Sequence, residues 1–331
     1  MYWINIVAAI LLVVLFVLPY IPPKQFPTLS LLSLAVSPLI IINIFFVVYW
    51  LVQLKKRLLL SLLVMIIAHF HFNSFFEFSS ENDNETYNNT LKALTYNVRL
   101  FNAYEDNPKS NASMFISKLI EEHKPELIFV QEYFHENEID FSEYPFNFIH
   151  YNDPKGKFGH ALFSKFPLIN TGAFDFENSN NNALFADIIV KEDTIRIYNL
   201  HLQSLGIEPS VSSLQNGDKE RLRKRLIRTF KMQQSQTELI VKHKERSPYP
   251  VIMCGDFNNT SFSYIYRKLK SEMIDAFVEN GSGIGTTYLF DFYPMRLDYI
   301  MTSNDFDIVK FMTHDSSFSD HFPLSATLGW N

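Results

Sequence analysis

The first 76 residues contain neither aspartate nor glutamate, and three long apolar runs fill most of them. The runs are Trp3 to Leu18, Leu31 to Leu54 and Leu58 to Phe72, each near the roughly 20 residues a helix needs to span a bilayer. Pro19, Pro22, Pro23 and Pro27 punctuate the first gap, and Lys55, Lys56 and Arg57 fill the second. The pattern predicts a multi-pass membrane anchor over residues 1–76 with three transmembrane helices. The third ends in the interfacial region, where His69, His71 and Asn73 mix with Phe70, Phe72, Phe75 and Phe76. No Lys or Arg precedes the first run and no small-residue cleavage site follows it, which argues against a cleaved signal peptide. The Lys-Lys-Arg cluster is expected to stay cytoplasmic, which places the remainder of the chain outside the cell membrane.

That remainder is acidic. All 35 acidic residues but only 25 of the 29 basic ones lie beyond residue 76, a net charge of about −10 that suits long duplex nucleic acid poorly. Cys254 is the single cysteine, so no intrachain disulfide exists, and its place in an apolar run points to packing. Residues 77–90 are Ser, Asn, Glu and Asp with little to bury and read as a flexible linker. From Leu91 the pattern is that of an α/β domain reaching residue 331. Strands are expected at Leu91–Val98, Leu127–Val130, Gly159–Phe163, Ala183–Val190, Thr194–Leu200, Arg296–Met301 and Leu324–Leu328, with helices near Ala112–His123, Lys219–His243 and Ser263–Ser271. Basic residues crowd the second helix, where a solvated face with Leu222, Leu226, Ile227 and Phe230 turned inward is favoured over a phosphate-binding one.

The stretch Pro250 to Asn258, PVIMCGDFN, is a buried strand that delivers a carboxylate, Asp256, and an amide, Asn258, to one side of its end. Taken alone, Gly-Asp-x-Asn is as well explained by an Asx turn. Other apolar runs end the same way, however, in Asn97, Glu132, His201, Asp298, Asp320 and His321. Each has an ordinary structural explanation, but the ordered set TYN, QE, NLHLQ, GDFN, RLDYI and SDHFPL is improbable as coincidence.

This set resembles the endonuclease/exonuclease/phosphatase superfamily from Leu91 to the C-terminus, with GDFN and SDHFPL its most specific fragments. The complete arrangement also resembles a membrane-anchored branch found in bacteria. The resemblance implies a four-layer α/β sandwich: two mixed sheets face to face, with helices outside. It also implies hydrolysis of phosphate esters with Mg²⁺, or Mn²⁺, held by Glu132 beside Asn97, with Asp320 as a further or alternative carboxylate. Asp256 would align and deprotonate water, Asn258 would hold the water or a phosphate oxygen, and His321, oriented by Asp298, would donate to the phosphoryl oxygen. His201 would contact phosphate or protonate the leaving group, although no acidic partner for it is visible near Ala161. The expected substrate is a lipid-linked or small diester at the bilayer. Extracytoplasmic nucleic acid is the alternative, and a catalytically silent binding domain is the rival from another class. Aromatic residues in the expected loops, among them Tyr133, Phe134, Phe141, Tyr144, Tyr288 and Phe292, are either packing or contacts for lipid or base.

Overall fold

The computed structural model describes residues 1–72, 75–78, 87–103, 109–135, 139–151, 157–207, 210, 218–291 and 293–331. Most of the expected linker, Asn73, Phe292 and much of the segment before Asp218 lie outside the described residues.

The apolar N-terminal region folds into helices α1 (Tyr2–Leu15), α2 (Pro27–Ser30), α3 (Val36–Val52) and α4 (Leu58–Phe72), with 3₁₀ turns at Leu18–Tyr20 and Leu31–Ala35. Two continuous helical stretches, Tyr2–Tyr20 and Pro27–Val52, are long and apolar enough to cross a membrane. The expectation of three such spans is corrected here. α4 has 15 residues, about 22 Å at the helical rise and short of a hydrocarbon core of about 30 Å. The bundle buries one polar network within an otherwise apolar interior that includes Leu12, Ile40 and Val64, and its outer surface is apolar as well. Trp50 Nε1 donates to Asn5, Asn5 Nδ2 to Ser61, and Ser61 Oγ to Asn43, one buried network across α1, α3 and α4. Trp3, Ile10, Phe45, Leu63 and Phe70 face outward.

Beyond the bundle, fourteen strands are described: β1 (Asn89–Asn97), β2 (Leu127–Phe134), β3 (Phe146–Tyr151), β4 (Phe158–Ser164), β5 (Leu168–Asp175), β6 (Asn182–Val190), β7 (Asp193–His201), β8 (Val251–Asp256), β9 (Met273–Asp275), β10 (Tyr288–Phe290), β11 (Tyr293–Met295), β12 (Asp298–Ser303), β13 (Asp307–Thr313) and β14 (Leu324–Trp330). Helices α5 (Lys109–His123), α6 (Lys219–Lys244), α7 (Tyr264–Lys270) and α8 (Ala276–Asn280) accompany them. One mixed sheet has the order β13-β14-β1-β2-β4-β3, the other β5-β6-β7-β8-β12-β9, and β10-β11 is a separate hairpin.

Alternation explains why the sheets face each other. Leu91 and Ala93 of β1, Phe129 of β2 and Leu162 of β4 meet Ile195 and Ile197 of β7, Ile252 and Cys254 of β8 and Ile300 of β12 in one apolar layer. The opposite faces are covered by helices. α5 packs Ile116 and Leu119 on Ile128 and Val130, and α6 and α7 place Ile240 and Ile265 over Tyr198, Met253 and Tyr299. This is the expected four-layer sandwich. The basic residues of α6 are solvated while Leu226 and Phe230 are buried, as the favoured reading of that helix required. Of the expected loop aromatics, Tyr133, Phe134 and Tyr144 are packing residues buried under α5, and Phe141 stacks on Phe163.

The bundle is docked on the sandwich. Phe262, four residues after Asn258, is buried with Leu12, Leu15, Val36 and Phe72 of the bundle, and its ring meets Phe72 edge-on at 4.9 Å. Lys24 binds Gln234 and Glu238 of α6, Arg267 of α7 lies 4.2 Å over the Tyr20 ring, and Glu77 pairs with Gly283. The end of the expected linker nearest α4 is therefore held against the sandwich.

Candidate active site

The period-2 alternation that builds the inter-sheet core also builds the site, because the core-facing positions turn polar at one end of the strands. After Leu91, Ala93 and Thr95 the next such residue is Asn97; after Ile197 and Asn199 it is His201; after Ile252 and Cys254 it is Asp256. His201 and Asp256 are partners in the parallel β7–β8 ladder, and Asp298 faces Asp256 in the antiparallel β8–β12 ladder. Three functional side chains thus stand in a row across adjacent strands.

β2 reaches the same end through a bulge. Val130 pairs with Ala161 but Tyr133 pairs with Gly159, so Gln131 and Glu132 together oppose His160. Glu132 has φ +54°, and the irregular position turns its carboxylate into the site. Carbonyls freed by the bulge are satisfied from the other sheet: Asn199 Nδ2 donates to Val130 O and Ala161 O at 3.0 Å each, and Gln131 Nε2 donates to Asn199 Oδ1 at 2.6 Å. Gly255, at φ +130°, is required for a second reason: a Cβ there would stand 2.1 Å from Leu200 O.

Asp256 is the hub. Its Oδ2 accepts from Asn97 Nδ2 at 3.1 Å and Asn258 Nδ2 at 3.1 Å, and its Oδ1 accepts from the Asn258 amide at 2.7 Å. His201 Nε2 lies 3.6 Å and His321 Nε2 3.7 Å from the same Oδ2. Asn97 Nδ2 also donates to Glu132 at 3.4 Å, while its oxygen accepts from the Arg99 amide. His321 Nδ1 donates to Asp298 Oδ2 at 2.8 Å. Asp320 stands beside it in a turn fastened to β1 by Ser319, whose hydroxyl donates to Asn97 O at 2.9 Å. All eight expected residues converge on this end of the sandwich.

Burial separates the two histidines electrostatically. It disfavours the charged form of both. For His321 the carboxylates of Asp298 and Asp256 outweigh it and raise the pKa to about 10, so the ring is a cation at neutral pH. For His201 burial prevails, reinforced by His160 and His321, and the ring stays neutral. Its Nε2 faces carboxylate oxygens of Asp256 and Glu132 at 3.6 and 3.7 Å, so Nε2 carries the proton and Nδ1 is bare. That fixes the partner that sequence reasoning missed: His160 Nε2 donates to His201 Nδ1 at 3.0 Å. Only its position two residues before Leu162, on the core face, could have pointed to it.

Burial also pushes Asp256 and Glu132 upward, and the charge of Asp320 adds to the effect on Glu132. Carboxylates crowded at the mouth of a buried site, with Glu132 still one-third exposed, form a hard-oxygen donor set whose repulsion a divalent cation would relieve, so these residues fit such an ion. Asp256, Asp298 and His321 also bring ligand-type atoms within 4.8 Å of one another, but the Nδ1 of His321 is already spent on Asp298.

Residues 94–321 match the family profile described as Endonuclease/Exonuclease/phosphatase family. The chain belongs to this family. Residues 1–75 match a second profile, a domain of unknown function (DUF8431). A search of curated proteins gives no match. Among solved structures, the chain is similar to the endonuclease/exonuclease/phosphatase from Bacteroides vulgatus, with TM-score 0.56, 17% identity, and 73% of this chain and 100% of that one covered. It is also similar to the endonuclease/exonuclease/phosphatase from Beutenbergia cavernae, with TM-score 0.53, 14% identity and coverage of 73% and 72%. A third similar structure is D. rerio TDP2 complexed with single strand DNA product, with TM-score 0.54, 13% identity and coverage of 73% and 100%.

Proposed function

We propose that the protein is a membrane-anchored, divalent-metal-dependent phosphodiesterase whose catalytic domain stands outside the cytoplasm. The observation that carries the chemistry is the convergence on one Asp256 oxygen of Asn97, Asn258, the neutral His201 and the cationic His321. A silent binding domain has no use for a buried base beside a buried imidazolium.

Asp256, raised by burial, accepts a proton from water as the water oxygen bonds to phosphorus and the ester oxygen departs. Asn97 and Asn258 fix the direction of its carboxylate. His321, held by Asp298, donates from Nε2 to a phosphoryl oxygen in the transition state. His201 donates a hydrogen bond from Nε2 without giving up its proton, because a neutral imidazole is a poor acid, and the departing oxygen takes its proton from solvent at the open side. Glu132 and Asp320 would hold Mg²⁺ or Mn²⁺, which supplies neutralisation of phosphoryl and leaving-oxygen charge when bound.

The bundle supports the membrane location. Its outer surface is apolar, with Trp3, Ile10, Phe45, Leu63 and Phe70 exposed while Asn5, Asn43 and Ser61 are buried, whereas a soluble bundle exposes a polar face. Tyr2, Trp50 and Arg57 cluster at one end, with the guanidinium 4.8 and 5.2 Å over the two rings, whereas Tyr20, Ser33 and Phe72 meet the catalytic domain at the other. The Lys55-Lys56-Arg57 cluster therefore lies opposite the catalytic domain, which favours an extracytoplasmic site.

The full-length protein in detergent should hydrolyse bis(p-nitrophenyl) phosphate with Mg²⁺ or Mn²⁺, lose the activity to EDTA, and lose it in Asp256→Asn. Metal-independent hydrolysis, or full activity of Asp256→Asn, would overturn the reading. A reporter after Asn331 active only in the cytoplasm would overturn the orientation.

A further inference from the structure

The cavity above Asp256 has a volume of about 480 Å³, and its walls come from two sources that the sequence keeps far apart. Glu132, His201, Asp256 and His321 form the polar end. Apolar lining comes from Leu34 and Pro38 of the anchor stretch Pro27–Val52 together with Tyr293, Met295 and Leu297 of the β11–β12 segment, beside the polar Arg99 and Ser204. A cavity that combines catalytic groups with an apolar wall matches an amphiphile with a phosphate ester at its head. A sugar phosphate would leave the aliphatic wall of Leu34, Pro38, Met295 and Leu297 unfilled.

The wall also leads toward the bilayer. Leu34 and Pro38 lie at the catalytic-domain end of a stretch apolar enough to span, so an apolar chain resting on them continues along the helix into lipid. Exposed apolar residues occur nearby in the chain: Phe76 and Phe78 flank the Glu77–Gly283 bridge, Ile284 follows it, and Leu289 lies between the cavity-lining Tyr288 and Phe290.

We propose that the substrate is a bilayer phospholipid, drawn from the membrane with its phosphodiester at Asp256 and its first acyl methylenes against Leu34, Pro38 and Met295, so that the anchor is part of the substrate pocket. The proposal rests on the phosphodiesterase reading above.

The test uses full-length protein reconstituted in vesicles of phosphatidylcholine, phosphatidylethanolamine, phosphatidylglycerol and sphingomyelin, with released headgroup followed by phosphorus NMR and bis(p-nitrophenyl) phosphate and single-stranded DNA assayed alongside. Lipid should be hydrolysed, and Leu34→Glu should lower the ratio of lipid to soluble-diester hydrolysis about tenfold, because a charge on the wall opposes the acyl chain specifically. Hydrolysis of the soluble diester or DNA without lipid turnover overturns the proposal and leaves the phosphodiesterase reading standing. Equal losses on lipid and soluble diester also overturn it, because the anchor would then act only on folding. Absence of hydrolysis of every substrate defeats the phosphodiesterase reading itself and the proposal with it. A phosphatidylcholine carrying a diazirine early in its acyl chain gives a reading that needs no turnover: it should label the catalytic-domain peptide containing Tyr293 to Leu297 in wild type and much less in Leu34→Trp. Labelling confined to the outer faces of the helices overturns the proposal.

Discussion

His160 donates from Nε2 to Nδ1 of His201 across 3.0 Å, so the imidazole that faces the site carboxylates is held by a second imidazole and not by an acid. His160 is a positioning residue, fixing which nitrogen of His201 carries the proton. Replacement by alanine frees Nδ1 to take the proton and leaves Nε2 bare toward two carboxylates. His160→Ala should therefore lower kcat about tenfold with a smaller change in KM, and His160→Gln, whose amide can donate, should recover part of the loss. Steady-state kinetics on a soluble diester checks both, and equal activity of the alanine and glutamine variants contradicts the tautomer argument.

Much of this site is legible in the alternation of the strands, and the exception is instructive. Asn97, His201, Asp256 and Asp298 each keep a core-facing period of two, so their convergence follows from the apolar residues that share their strand faces. Glu132 escapes that rule because the bulge at Gln131–Glu132 shifts the period of β2, and nothing in QEYF marks where it falls. His160 keeps the period of β4 and escapes notice because the expected partner of His201 is an acid. β3, β5 and β13 were missed for a different reason. They pair near the sheet edges, and their exposed or half-buried residues give no clean alternation. The docking of the bundle was invisible because Phe262 looks like any loop aromatic. Only tertiary structure shows that it is buried among the helices.

Buried neutral histidines make the fold acid-sensitive. Burial, then the charge of His150, lowers the His160 pKa to about 3; burial, then His123, lowers that of His314 to about 4. Both lie below the unfolded value of about 6.5, so the unfolded chain takes up these protons first. Their contribution to stability is complete above about pH 6.5 and is lost as pH falls toward 4. Thermal unfolding in detergent should show a lower midpoint at pH 5 than at pH 7.5, with a smaller difference in His314→Gln. An unchanged difference in that variant would exclude His314 as a contributor.

Asp298 and His321 should separate by the size of their effects. Removing the imidazolium in His321→Ala deletes the donor to the phosphoryl oxygen and should lower kcat about 100-fold or more. Asp298→Asn leaves the ring in place but removes the larger of the two carboxylate influences that keep it charged, so its loss should be smaller and should grow as pH rises. Sign and pH agree: a cation whose pKa falls from about 10 toward its ordinary range is lost at lower pH. A flat pH dependence of the Asp298→Asn to wild-type rate ratio between pH 6 and 9 would exclude that role.

The last prediction concerns the start of β12, which delivers Asp298. Two residues earlier, Arg296 is 7% exposed, and its Nη1 donates to both oxygens of Asp275 at 3.0 and 2.8 Å. Among the described residues its Nε and Nη2 have no hydrogen-bond partner and the guanidinium lies over the Phe277 and Tyr299 rings at 4.5 and 4.8 Å, so its adjacent counter-charge is this carboxylate. Asp275 also accepts from the Tyr266 hydroxyl at 2.6 Å and from the Phe277 amide at 3.0 Å, tying α7, α8 and β12 together. Asp275→Asn keeps the shape but leaves a buried cation without its counter-charge, and such a loss costs about 3–5 kcal/mol. Replacing the pair together, Arg296→Met with Asp275→Leu, should cost much less than Asp275→Asn alone, because no uncompensated charge remains. Chemical denaturation of the single and double variants measures the difference, and a double variant as unstable as the single would show that the loss comes from packing and not from charge.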